Sequence, residues 1–192
     1  RDNTPRDTPI GRYVEPGHAI EDAWFIIHHA LGIGDGASVE RAVRMIEASL
    51  KIGWDAEFGG LLRYLDRDGG PPRTPEAADR SPMADKLRNE WDVKLWWSHS
   101  EALYSTLLAY ALTGRADLLE WHARVHDYTF RTFPNPDAEI GEWIQIRDRR
   151  GAPADVQVAL PVKDPFHAIR NIMLAIELLG EKSGMRRATD AK

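Results

Sequence analysis

Residues 55–69, DAEFGGLLRYLDRDG, align without a gap on residues 137–151, DAEIGEWIQIRDRRG, 82 positions further along (137 against 55). A repeat of this length means that one supersecondary unit has been used twice, and such a unit buries its apolar face only by stacking on its neighbour. The segments surrounding the two copies therefore share one architecture. A second echo supports this: His18-Ala19-Ile20-Glu21 is matched by His167-Ala168-Ile169-Arg170.

Around the copies the apolar spacing predicts five helices. The first runs from His18 to Leu31, started by Pro16-Gly17 and ended at Gly32. The second is N-capped by Ser38 and ends near Gly53; Val39, Val43, Met45, Ile46 and Leu50 give it one apolar side. A third, apolar nearly all round, spans about 93–113 and stops at Gly114. A more charged fourth covers about 115–133, and a mostly apolar fifth about 166–179. Helices buried all round thus alternate with helices buried on one side. Each unit reads as an inner helix, an outer helix and a short β-hairpin, with a final inner helix at the end.

Such pairs imply an all-α fold, an (α/α)6 toroid whose inner helices start at one mouth. Three inner helices would make only half of a closed ring, so the chain is expected to be a fragment of a barrel, the alternative being a compact five-helix solenoid with its own closure. A missing N-terminal half or a partner chain would complete the barrel. Residues 1–192 read as a single domain, with flexible ends at 1–10 and 181–192 and a Pro/Gly-rich loop at 69–83 that could act as a lid.

The common mouth brings together residues far apart in sequence. His18 and Glu21, at i and i+3, share a helical side, so the carboxylate could orient the imidazole. His167 is the counterpart of His18 by internal symmetry. Two such imidazoles across a cavity could take a proton from one face of a substrate carbon and return it to the other. In Lys94-Leu-Trp-Trp-Ser-His-Ser-Glu101, Trp97 could stack on a sugar ring while His99 and Glu101 bond hydroxyls, although at most two of the three can face the cavity. Glu142 stands where the first copy has Gly60, and keeps a possible cavity role. The shared Asp-Ala-Glu-x-Gly of the copies reads as turn structure. His28 and His29 read as structural. His122 and His126, at i and i+4, lack a third ligand, so no metal is expected.

A net charge of −5 without a dense Lys/Arg stripe argues against a nucleic-acid partner. The absence of cysteine removes disulfide and thiolate chemistry, and no long apolar span suggests a membrane segment. A cytoplasmic location is the default expectation.

Glu15-Pro-Gly-His-Ala-Ile-Glu21, Lys94-x-Trp-Trp-x-His-x-Glu-Ala-Leu103, Gly141-Glu-Trp143 and Phe166-His-x-x-Arg170, in this order and spacing, resemble the N-acylglucosamine 2-epimerase family, also called renin-binding proteins, over about residues 8–180. The resemblance implies an (α/α)6 barrel, with the match on its C-terminal half, and interconversion of N-acylglucosamine and N-acylmannosamine or a related aldose at C2. It places the catalytic pair on His18 and His167 and the helper carboxylate on Glu21, and gives Arg170 a role in binding substrate oxygen. No cofactor is implied, because an aldehyde already acidifies its neighbouring carbon. A homodimer is an expectation by analogy. The family often has Lys-Gly before its second histidine and a proline between that histidine and the arginine; here the stretch reads Lys163-Asp-Pro-Phe-His-Ala-Ile-Arg170. The family's N-terminal half supplies an arginine and aromatic groups that this sequence lacks, so this chain alone is expected to be inactive. Alternatives are an aldose-ketose isomerase on the same barrel, a non-catalytic binding member, and an inverting glycosidase using Glu21 and Glu142.

Overall fold

The computed structural model describes residues 4–156 and 166–189, with side chains up to residue 181. Its long helices are α2 (Pro16–Ile33), α3 (Gly36–Gly53), α5 (Trp96–Thr113), α6 (Ala116–Thr132) and α7 (His167–Thr189), with short helices α1 (Pro9–Arg12) and α4 (Pro82–Asn89). Helix α2 lies against α3 and α5, and α5 against α6 and α7, so the inner helices stand side by side as α2, α5 and α7 with α3 and α6 outside the first two. The core between them is built from Ile20, Ile27, Ile46, Leu50, Leu103 and Leu118.

Capping chemistry moves some predicted ends. Gly34, not Gly32, takes the left-handed conformation that stops α2, at φ 74°. Asp35, not Ser38, caps α3, accepting a hydrogen bond from the Ser38 amide. Helix α7 continues to Thr189, through residues expected to be a loose end. Within the expected loop and beyond it, Ser81 caps α4 through the Ala84 amide.

The repeat is visible in the turns. The Asp55 carboxylate accepts from the Glu57 amide and the Asp137 carboxylate from that of Glu139; Asp66 and Asp148 do the same for the amides of Asp68 and Arg150. The expected hairpins need correction, however. Each copy pairs through an isolated bridge with a residue just before it, Leu61 with Trp54 and Trp143 with Pro134. Its strand then pairs with the segment that leads into an inner helix: β1 (Tyr13–Val14) with β2 (Leu65–Asp66), and β3 (Lys94–Leu95) with β4 (Ile146–Arg147). The returning chain thus ties down α2 and α5 at their N-terminal ends.

Lys94 joins the two copies. Wholly buried, its ammonium donates to the Gly59 carbonyl of the first copy and the Arg149 carbonyl of the second, and lies 3.2 Å from Asp55. Arg149 in turn donates to Asp55 from Nε at 3.0 Å. A buried ammonium is tolerable only when so paired.

Candidate active site

His18 sits in the first turn of α2, and its Nδ1 lies 2.8 Å from Glu15 Oε2. Glu15 is the N-cap residue, yet its side chain makes no cap hydrogen bond, being turned to the imidazole instead. That bond raises the His18 pKa above its ordinary value, against the opposing effect of partial burial. Glu21, expected to hold His18, does not. Its Oε1 lies 3.4 Å from Arg170 Nη2 and 3.8 Å from His167 Nδ1, because the facing helix offers it a cation while Glu15 already occupies the imidazole. Burial, then repulsion from Glu101, raises the Glu21 pKa, with His167 and Arg170 opposing.

His167 opens α7, and its Nδ1 lies 2.7 Å from Glu101 Oε1. The same oxygen accepts from Arg170 Nη2 at 2.5 Å, and Glu101 Oε2 accepts from the Trp24 indole at 2.6 Å. Glu101 is wholly buried, so the assignment of a substrate hydroxyl to it is corrected: its oxygens serve protein donors. The Arg170 guanidinium also lies 3.9 Å from the Phe166 ring and 4.9 Å from that of Trp24.

Trp97 brings the histidines together. Its ring centroid is 4.7 Å from that of His18 and 5.4 Å from that of His167, so the imidazoles lie within about 10 Å of each other. The close approach of α2 to α5 needs Gly17, where a Cβ would stand 2.5 Å from Ser98 Oγ. In each dyad the carboxylate takes Nδ1–H, which leaves Nε2 as the basic nitrogen. The site therefore offers two carboxylate-oriented bases, an arginine and an indole.

His99 is a further correction. It has no exposed surface; Nδ1 donates to the Leu95 carbonyl at 2.7 Å and Nε2 accepts from the Leu61 amide at 2.9 Å, while the ring stacks on Tyr128. Burial pushes its pKa down to about 3, so it stays neutral and pins the first repeat copy to α5. Trp97 and Glu101, one turn apart, share the side that faces the histidines. Glu142 is exposed in the turn before β4. Glu15 and Trp24 were missed by the sequence reading; Glu15 stands at the same separation from His18 as Glu21 does, so spacing could have nominated it.

Ligand atoms of Glu21, Glu101 and His167 lie within 4.8 Å of one another, a spacing that could hold a metal ion. Arg170 stands on both carboxylates, though, and a cation there would have to displace a cation. The donor set fits an ion-paired base better than a metal centre.

A toroid-type assembly of inner and outer helices, with paired histidines at the inner N-termini, defines the class. Residues 2–170 match the model of the N-acylglucosamine 2-epimerase family, and the chain belongs to that family. It is 34% identical over 175 residues to the N-acylglucosamine 2-epimerase of Mus musculus, covering 89% of this chain and 37% of the relative, and 34% identical over 171 residues to that of Bos taurus. The match falls on the C-terminal part of these relatives. Among solved structures it resembles a D-mannose isomerase (TM-score 0.67, 18% identity, 85% of this chain and 37% of the other). It also resembles the cellobiose 2-epimerase of Bacillus thermoamylovorans B4167 (TM-score 0.65, 21% identity, 86% and 38%). These neighbours have the (α/α)6 barrel, so the fold is that of a barrel segment. No helix among the described residues is long and apolar enough to cross a membrane.

Proposed function

We propose that the protein containing this chain is a sugar 2-epimerase in which His18 and His167 exchange the proton at C2 of an open-chain aldose. The observation that carries the reading is the pair of dyads, His18 with Glu15 and His167 with Glu101, both against the ring of Trp97. One neutral imidazole takes the C2 proton at Nε2 and leaves an enolate; the other, entering as imidazolium, delivers its proton to the opposite face. One proton is gained and one lost, and the two histidines end with exchanged charge states. Arg170 stabilises the enolate oxygen. N-acylglucosamine and N-acylmannosamine are the first substrates to try, given the names of the relatives of highest identity cited above.

The rest of the barrel comes from sequence outside this chain, which spans about 37% of those relatives. Supporting this, α7 turns Ile169, Met173, Ile176 and Leu179 outward, each more than half exposed and at helical spacing. The test is proton NMR of the full-length protein in D₂O with N-acetylglucosamine, N-acetylmannosamine, mannose, glucose and cellobiose. Deuterium at C2 with formation of the epimer supports the reading. A ketose product points to an isomerase, and no C2 exchange with any of the five sugars removes the proposal.

A further inference from the structure

Away from the histidines, the C-terminal end of α6 and the second repeat copy enclose a concavity of about 550 Å³ that includes Tyr128, Arg131, Arg147 and Arg150, with Phe58 and Pro134 as apolar walls. Arg147 is 93% buried, with 7% of its surface exposed, and its Nε has no hydrogen-bond partner. No ion pair to its guanidinium occurs among the described residues. The Tyr128 hydroxyl is buried as well, with the Thr132 side chain as its polar neighbour. No acidic neighbour pairs with Arg147 directly: Asp127 pairs with Arg131 at 2.6 Å, and Asp148, whose Oδ1 accepts from the amides of Arg150 and Ala152 at 2.9 Å each, favours the charged Arg147 only through space. Asp55 is held by Lys94 and Arg149.

A buried guanidinium without an anion is costly, and folded proteins rarely keep one without a use. We propose that this concavity is an oxyanion site, with Arg147 as its central cation, Arg131 and Arg150 at the rim and the Tyr128 hydroxyl as an added donor. Its ligand class is the phosphate group, free or as a monoester on a small polar molecule. Guanidinium groups match phosphate oxygens through paired N–H donors, and three arginines around one cavity suit a doubly charged group better than a carboxylate. The site stands apart from the residues proposed to move the C2 proton, so its failure would leave the epimerase reading untouched.

The test compares thermal unfolding and calorimetric titration of the full-length protein and of Arg147→Met, with inorganic phosphate, mannose 6-phosphate and mannose at constant ionic strength. The expected result is a melting temperature raised by about 2–4 °C at roughly tenfold excess over Kd in the parent protein, and no rise in the variant. Without ligand, Arg147→Met should melt at or above the parent temperature, because it removes an unpaired buried charge; a merely structural arginine would lower it. Binding of mannose 6-phosphate alone identifies a monoester site, and equal binding of both phosphates a free-phosphate site. Equal stabilisation of parent and variant, or of neither, overturns the proposal.

Discussion

Helices α5 and α7 are both inner helices, but α5 is buried from Trp96 to Ala109, whereas α7 leaves Ile169, Met173 and Ile176 more than half exposed. The difference is one of neighbours: α5 has α2, α6 and α7 around it, and α7 packs chiefly on α5. Burial on every side is reached only by α5, the inner helix that stands between the other two. The mouth of α7 is held instead by directed polar contacts, in which one buried carboxylate, Glu101, receives His167, Arg170 and the Trp24 indole. The same helix that is best buried therefore also positions the histidine on the helix that is least buried.

That contrast breaks first at Glu101. Glu101→Ala leaves a guanidinium, an imidazole and an indole N–H without their acceptor, and should cost about 3–5 kcal/mol in urea unfolding. Amide exchange in the first turns of α7 should quicken before that in α5. The two helices can next be compared directly in residues 1–192 produced alone: Leu103→Ala in the α5 core should cost about 3 kcal/mol, and Ile176→Ala on the open side of α7 less than about 0.5 kcal/mol, the latter rising in the full-length protein, where the rest of the barrel covers that side. Similar losses at both sites would mean that α7 is covered in solution by something that protects it as well as α5 is protected.

His99→Ala strips the partners from the Leu61 amide and the Leu95 carbonyl, and should cost about 2 kcal/mol. Because its pKa is lowered to about 3 from an ordinary 6.5, stability from its neutral form is complete above 6.5 and is lost as pH falls from there toward 3. The variant should lack that part of the acid slope. The smallest effect is at Glu15. Glu15→Gln should lower the His18 pKa in an NMR titration, moving the limb of the pH–rate profile set by His18 to lower pH. The sign for stability is the converse of His99: the His18–Glu15 pair contributes below the ordinary histidine pKa, and the contribution is lost as pH rises through the raised one.

Much of this was legible in the sequence because it is local. The repeat announced the paired aspartate turns, and apolar spacing announced all five long helices. Gly114 stops α5 as expected, at φ 68°. What was not legible depends on which helix stands opposite. Glu15 and Glu21 lie three residues either side of His18, and only the presence of Arg170 across the mouth decides that Glu21 faces α7. His99 and Glu101 belong to one turn of α5, where packing sends one inward against Tyr128 and the other under His167. The strands paired across units for a similar reason: a returning chain finds free backbone groups beside the inner helix, a partner that residues 55–69 alone do not reveal.

The central claim is that the two histidines act on opposite faces of one carbon, and exchange measured separately in His18→Ala and His167→Ala tests it most directly. In the full-length protein in D₂O, each variant should lose epimerisation yet still exchange the C2 proton of one epimer, the two variants serving opposite epimers. If either variant still epimerises, or both exchange the same epimer, the two-histidine account is wrong.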